Sequence, residues 1–586
     1  MTLKSNMMIN MKKLFKNRCY LLIALMIGAL CANAQTSRDL GDGTFRNPLI
    51  WADVPDCCVI RVGDDYYMVS TTMHYSPGCT IMKSHDLVNW EVCGYAHDQL
   101  EETDAFALKN GQNDYARGSW AANLRYDKYE KRFYLIVTCN TSQKSYIFTT
   151  TDIDHGPWIR NEVDMCYDPG FLFEDTGVEC KKYVVHPDAS LQRHEAYLCE
   201  LHSYGNGKVR LGERTKILDY TQADNPSRGL RAEGYHGYKI GDYYYIFMIQ
   251  GCGMQRQEIV WRSRSLQGDT WEVRKVFTGD MVDAPGNEYM KNNGVAQGGI
   301  VDTPDGRWYA MLFQDQGALG RMPVLLDMKW DDNGWPVIGN NGTSVNAVQQ
   351  IPVATTEKDR KKSIVVSDEF VNGTERYLIS DKYAESLGNG GEYDLTSSIL
   401  KKEWQWNHNP DNRLWSLTDR KGWLRLKGGI LARNIREARN TLTQRTFGPE
   451  CTAETKMDVS KMNDGDCAGL TSFQNRYGYV GVEMTDGVRS IVMRRATEKG
   501  DADGKVIESV RLKGNTVYLR LYCDFKDRND KAAFYYSTNG KEWHRIGDEL
   551  DMHFDWPDFC GQRMGLFYFP TQQTGGHVDF DYFRVK

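Results

Sequence analysis

Gly63-Asp64-Asp65-Tyr66-Tyr67-Met68-Val69 is a tight turn followed by an aromatic-rich apolar strand, and it recurs along the chain. It returns as Glu130-Lys131-Arg132-Phe133-Tyr134-Leu135-Ile136, as Gly241-Asp242-Tyr243-Tyr244-Tyr245-Ile246-Phe247, as Asp305-Gly306-Arg307-Trp308-Tyr309-Ala310-Met311 and, more weakly, as Cys180-Lys181-Lys182-Tyr183-Val184-Val185. The last aromatics fall at positions 67, 134, 183, 245 and 309, one unit every 49 to 67 residues, which suits a blade of four short antiparallel strands. Three units carry a further signal ending in tryptophan, Ser84 to Trp90, Thr151 to Trp158 and Ser265 to Trp271, read as a second strand. Five units predict an all-β, five-bladed β-propeller over residues 40–340. An irregular β-sandwich is the alternative left open by the repeat alone.

Working outward, residues 341–366 turn loop-like and end in the charged run Glu357-Lys358-Asp359-Arg360-Lys361-Lys362, read as a linker. Beyond it, residues 367–586 alternate, as in Val517-Tyr518-Leu519-Arg520-Leu521-Tyr522. They include a hairpin, Ala533 to Ser537, turn Asn539-Gly540, then Trp543 to Ile546. This predicts a second, β-sandwich domain. Across all 586 residues, 41% hydrophobic and 26% charged content excludes wholesale disorder, and 12% aromatic residues with 54 Gly favour strands and turns.

Residues 1–34 read as an export signal. Lys12, Lys13 and Lys16 precede the apolar run Leu21 to Ile27, and Ala32-Asn33-Ala34 has the small-x-small pattern of a cleavage site; Met11 is an alternative start. Cys31 follows Leu30 where a lipid-anchor signal expects a small residue, so a soluble periplasmic or secreted protein is the expectation, with no membrane span. Without Lys4, Lys12, Lys13, Lys16 and Arg18, the formal charge moves from −6 to −11, a poor match for nucleic acid or polyanionic glycans and a better one for a neutral partner. Cys19 and Cys31 leave with the signal, and 13 cysteines remain without a C-x-x-C. Adjacent Cys57 and Cys58 are expected to be buried small hydrophobes.

A propeller gathers the starts of its inner strands around one axis. Asp56 in Pro55-Asp56-Cys57-Cys58, Asp168 in Tyr167-Asp168-Pro169-Gly170 and Glu233 in Ala232-Glu233-Gly234 each precede a repeat tyrosine by a similar interval. By spacing alone they could equally be solvated turn acids. Asp53 is a rival to Asp56.

These stretches resemble family 43 glycoside hydrolases. Asn47-Pro48 with Pro55-Asp56 is similar to that family's opening, Tyr167-Asp168-Pro169 and Ala232-Glu233-Gly234 to its second and third acidic motifs, and Gly118-Ser119-Trp120-Ala121-Ala122 to its W-A-P motif. Gly320-Arg321 looks like its substrate-binding arginine. Glu403 to Pro410 and Ala438 to Thr446 resemble the concanavalin-A-like domain of β-xylosidase-type members. The resemblance implies Asp56 as general base, Glu233 as general acid and Asp168 as the residue that orients that acid and tunes its pKa. It implies Arg321 and Trp120 as sugar-binding residues. Inversion requires a base and an acid roughly 6.5–9.5 Å apart, so that a water fits between sugar and base.

The chain departs from the family in two places. Gln297, in Gly294-Val295-Ala296-Gln297-Gly298-Gly299, stands where members often carry a histidine that helps hold a metal or water, so no metal is expected and a structural calcium is not supported, although a Gln carbonyl could ligate one. About 20 residues are inserted between Asp368-Glu369-Phe370 and Trp404. The expectation is an inverting exo-glycosidase that needs no cofactor and removes pentose units from a neutral hemicellulose oligosaccharide or polysaccharide. It would be a β-D-xylosidase, an α-L-arabinofuranosidase or both, with oligomeric state undetermined. Two other readings remain at this point. A retaining fructan-type hydrolase should open with W-x-N-D-P-N, unlike Ile50-Trp51-Ala52-Asp53-Val54-Pro55. A non-catalytic glycan-binding propeller would keep the fold without the chemistry.

Overall fold

The structure, a computed structural model, describes residues 34–187, 195–219, 232–251, 256–267, 270–278, 280–281, 294–370, 400–497 and 502–586. The expected export signal up to residue 33, the expected insertion before Trp404 and Cys252 lie outside the described residues.

Five four-stranded antiparallel sheets follow one another in chain order. Blade 1 is Cys58–Val62, Asp65–Ser70, Gly78–Ser84 and Glu91–His97; blade 2 is Ser119–Asp127, Arg132–Cys139, Lys144–Thr150 and Ile159–Asp164. Blade 3 is Gly170–Asp175, Cys180–Pro187, Glu195–Ser203 and Val209–Asp219; blade 4 is Glu233–Ile240, Tyr243–Gln250, Gln257–Ser263 and Glu272–Phe277. Blade 5 is Ala296–Asp302, Trp308–Asp315, Arg321–Trp330 and Pro336–Ile338. The repeat aromatics Tyr67, Tyr134, Tyr183, Tyr245 and Tyr309 all sit on the second strand of their blade. That strand is covered on both faces by neighbouring blades, so Phe133 to Cys139 is buried throughout and reads as an unbroken apolar run. The outer strand has no such cover, and Glu272 to Lys275 is exposed.

The tryptophan signals have a different place from the one expected. Trp90, Trp158 and Trp271 do not end a strand; each lies in the connection just before the fourth strand of its blade. Trp335 occupies the same place in blade 5, where Asp331 Oδ1 accepts from the amides of Asn333 and Trp335 at 2.9 and 2.8 Å and shapes the turn.

Residues 341–366 are not a free tether. Val348–Gln350 pairs antiparallel with the N-terminal strand Thr44–Ile50, and Ile364 and Val365 are fully buried. The following domain is a sandwich of two eight-stranded sheets. Its strands alternate, with buried and partly exposed residues taking turns from Thr516 to Asp524, because each sheet has one inner face. The expected hairpin is present, Lys531–Ser537 against His544–Arg545, with Gly540 at a φ of 70° in the turn.

Propeller and sandwich share one core. Tyr75–Ser76, from the loop after the second strand of blade 1, forms the last strand of a sandwich sheet by pairing with Gln405–Asn407. A single apolar cluster runs from Trp51 and Leu319 on the propeller to Phe447 and Met564 on the sandwich. The Gly448 amide donates to Trp51 O at 2.9 Å, and Gln562 N to Ala318 O at 2.8 Å. Packing of this kind fixes the second domain against the propeller.

Candidate active site

Within two residues of the start of every blade's inner strand lies a residue in the left-handed region: Asp56 (φ 52°), Ala121 (42°), Asp168 (39°), Gly234 (67°) and Gln297 (66°). In blades 2, 4 and 5 the register shifts at that point, between Trp120 and Asn123, Glu233 and His236, and Ala296 and Gly299. A left-handed non-glycine residue costs of order 1–3 kcal/mol and persists only where its surroundings determine it, characteristically at functional sites. All three predicted acids lie at or beside these positions: Asp56 and Asp168 occupy them, and Glu233 directly precedes Gly234.

Asp56 is held by three donors from three segments. Oδ1 accepts from Arg321 Nη1 at 3.0 Å and from Gln297 Nε2 at 3.0 Å, and Oδ2 accepts from Thr71 Oγ1 at 2.6 Å. Thr71 Oγ1 also accepts the Ala121 amide at 2.8 Å, which ties the left-handed start of blade 2 to the carboxylate of blade 1. The Gln297 backbone amide in turn donates to Glu258 Oε2 at 2.8 Å. Glu258 is fully buried, and that burial pushes its carboxyl well above the usual range, against the pull of the Gln297 backbone amide.

Asp53 has a different task. Its Oδ1 accepts the Arg321 backbone amide at 2.8 Å, its Oδ2 accepts Gly561 N of the sandwich at 2.9 Å, and its carbonyl accepts Arg445 Nε at 2.8 Å. Both carboxylate oxygens are thus committed to backbone amides, one in each domain.

Asp168 and Glu233 meet through the backbone of blade 4. The Tyr235 amide approaches Asp168 O at 3.5 Å, and a Cβ at Gly170 would lie 2.0 Å from Tyr235 O, so the two inner strands are in close contact. Asn123 reinforces that contact, accepting Phe171 N at 3.1 Å and donating to Tyr235 O at 3.3 Å. Gly234 backs onto Gln297: a Cβ there would stand 2.6 Å from Gln297 Cγ. Glu233 therefore adjoins the residue that touches the amide donor of Asp56.

Arg321 opens the third strand of blade 5 and is 4% exposed, yet its Nε and Nη2 have no hydrogen-bond partner among the described residues. Its guanidinium lies 4.5 Å from the ring centre of Phe559, which the sandwich contributes. Trp120 faces the same Phe559, with ring centres 5.5 Å apart and a 31° tilt, and its Nε1 is also unpartnered. The two predicted sugar-binding residues thus converge on one aromatic side chain from the other domain. Buried donors without partners are costly unless a ligand supplies acceptors. Sequence reasoning missed Phe559, Thr71 and the donor role of Gln297. Only Gln297 left a signal, as the departure from the expected histidine.

Gln297 turns its amide nitrogen to Asp56, and no group of three or more His, Cys, Asp or Glu side chains suited to a metal ion occurs among the described residues. Cys57 and Cys58 are fully buried, and all twelve described cysteines are free thiols. No helix of the described residues is long and apolar enough to cross a membrane.

Residues 45–336 match the model for glycosyl hydrolases family 43, and residues 392–586 match that for the beta xylosidase C-terminal concanavalin A-like domain. A beta-xylosidase of Formosa agariphila is 30% identical over 602 residues, covering 94% of this chain and 92% of its own. A non-reducing end alpha-L-arabinofuranosidase of Bacteroides ovatus is 28% identical, covering 98% of this chain and 99% of its own. Among solved structures, a bifunctional GH43-CE protein of Bacteroides eggerthii superposes with a TM-score of 0.79 at 40% identity over 92% of this chain, which spans 63% of that protein.

Proposed function

Because the chain belongs to glycosyl hydrolase family 43, we propose that it is an exo-acting glycosidase. It removes terminal pentose units, β-D-xylose or α-L-arabinofuranose, from hemicellulose with inversion at the anomeric carbon. Relatives along its whole length carry both activities, and the C-terminal domain type favours xylose slightly. The carrying observation is the three-donor clamp on Asp56, which fixes one carboxylate in a single orientation while two Arg321 donors have no partner among the described residues.

In this reading Asp56 takes a proton from a water as that water attacks C1. Glu233 gives its proton to the glycosidic oxygen as the C1–O bond breaks. Asp168 orients Glu233 and, as a nearby negative charge, keeps it protonated. Arg321 Nε and Nη2 reach sugar hydroxyls, and Trp120 with Phe559 forms the apolar walls against which the ring lies. Solvent exchange then restores both carboxyl groups.

The charged and apolar segments of the first 34 residues support export to the periplasm or medium. A soluble glycan reached outside the cytoplasm is the matching substrate. Proton NMR of the first seconds of a xyloside or arabinofuranoside digest tests the chemistry. The first-formed sugar should have the anomeric configuration opposite to the substrate, and net retention would overturn the role given to Asp56.

A further inference from the structure

We propose that Trp556 is the stacking platform for the sugar ring that departs as the leaving group, a binding position supplied by the sandwich and not by the propeller. The proposal rests on the glycosidase reading above.

Exposure gives the direction. Arg321, against Asp56, is 4% exposed, Phe559 beside it is partly buried, and Trp556, its ring centre 4.5 Å from that of Phe559, is 67% exposed. Three planar groups therefore run outward in sequence from the clamped carboxylate to solvent. In an exo-acting pocket the terminal sugar fills the inner end, and what remains outside is the leaving group. A ring one contact beyond Phe559 is placed for that part of the substrate.

Single exposed aromatic residues are common and need no explanation. Trp556 differs in how firmly its turn is held. The amides of Asp558 and Phe559 both donate to Asp555 O, at 3.2 and 2.9 Å. Asp555 pairs with Arg476 at 3.0 Å, and both oxygens of Asp558 accept from Arg436 at 2.6 Å. The Arg436 guanidinium lies 3.3 Å from the centre of the Tyr115 ring, so the turn is anchored to the propeller as well. A tryptophan on such a turn loses little freedom on binding and presents a flat apolar face to the C–H face of a sugar. The next residue, Pro557, lines a cleft of about 970 Å³ between propeller residues 108–115 and sandwich residues 430–437. Its walls include Asn110, Asn113, Asn434 and Asn475, whose amides suit the hydroxyls of further sugars.

The test compares wild type, Trp556→Ala and Trp556→Phe on two substrates and one ligand: a pentose disaccharide, the corresponding pentosyl fluoride, and the free pentose as inhibitor. Fluoride departs without a ring to stack, and free pentose occupies the inner end alone. Trp556→Ala should raise KM for the disaccharide about three- to tenfold, with the fluoride kinetics and pentose inhibition unchanged, and Trp556→Phe should recover most of the loss. Equal losses on disaccharide and fluoride, or weaker pentose inhibition, would show that Trp556 acts only by supporting Phe559 and would overturn the proposal. Unchanged disaccharide kinetics would overturn it too. A wild-type protein inactive on both substrates would instead defeat the glycosidase reading.

Discussion

Asp53 and Asp56, three residues apart, take hold of Arg321 from opposite ends: Asp53 Oδ1 accepts its backbone amide at 2.8 Å and Asp56 Oδ1 its guanidinium at 3.0 Å. One aspartate faces the pocket, and the other fastens strand and sandwich together. Experiment can separate them. Asp56→Asn should lower kcat by about 10²–10⁴-fold with every leaving group, the usual worth of general base catalysis, and leave the melting temperature nearly unchanged. Asp53→Asn turns an amide nitrogen toward a backbone N–H and should cost about 1–3 kcal/mol of stability, with a smaller kinetic effect transmitted through Arg321. Parallel kinetics and thermal melts decide it; a folded, inactive Asp53→Asn beside an active Asp56→Asn would exchange the two roles.

Glu233→Gln should discriminate between leaving groups. A natural glycoside needs its departing oxygen protonated, whereas a dinitrophenyl glycoside hardly does. The variant should therefore lose far more activity on the first than on the second. Asp168→Asn should move the basic limb of the pH–rate profile to lower pH, because Glu233 would lose a neighbouring negative charge and ionise earlier. Equal losses of Glu233→Gln on both substrates would remove it from the acid's place.

Gln297→Met keeps the length of the side chain and deletes its donor. Loss of one hydrogen bond to a charged group corresponds to roughly 10–100-fold, and it should fall on kcat more than on KM, since the bond aims Asp56 and does not touch the sugar. Wild-type kcat in this variant would mean that Arg321 and Thr71 suffice.

Asp114 gives a pH dependence with a definite sign. Its burial pushes the carboxyl up to about 7 from 3.8, against the pull of its hydrogen bond from Thr141 and the charge of Arg117. A carboxyl raised on folding contributes stability that is complete below its unfolded value and is lost as pH rises through the folded value. Buried His97 and His236, pulled down to about 3 chiefly by burial, work the other way and lose stability as pH falls. The informative quantity is therefore the difference from a variant. Asp114→Asn should become progressively more stable relative to wild type as pH rises from 5 to 8, by about 3 kcal/mol over that range. A difference independent of pH would show that Asp114 is already ionised at pH 5.

The second strand of each blade was legible because burial on both faces forces an unbroken apolar run, as at Tyr243 to Phe247. The outer strands were not, since Glu272 to Lys275 carries no such constraint. The tryptophan turns were seen but taken for strands, and the equivalent turn at Trp335 went ungrouped because blade 5 begins its turn with Asp331 and not with a serine or threonine. At the candidate site, the spacing before the repeat strands singled out Asp56, Asp168 and Glu233, the resemblance to family 43 supplied the roles expected of them, and the structure places each at or near the start of an inner strand. Thr71 could not be singled out, because its hydroxyl meets Asp56 only after the first two strands of blade 1 pair back on each other. Phe559 reaches the pocket from the last part of the chain and leaves no local pattern that points to Arg321.

The five left-handed starts have a bearing on redesign. Backbone geometry at this ring is shared by all blades, while the side chains differ: two aspartates, an alanine, a glycine and a glutamine. Reactivity and architecture are thus written in separate places, and a new polar group introduced at Ala121 would inherit a backbone already tied through Thr71 to Asp56. Gly234 is closed to this, because even a methyl group would strike Gln297. A mutagenesis library for altered sugar preference should therefore vary 121, leave 234 and 297 fixed, and spend its remaining diversity on the sandwich turn that carries Phe559.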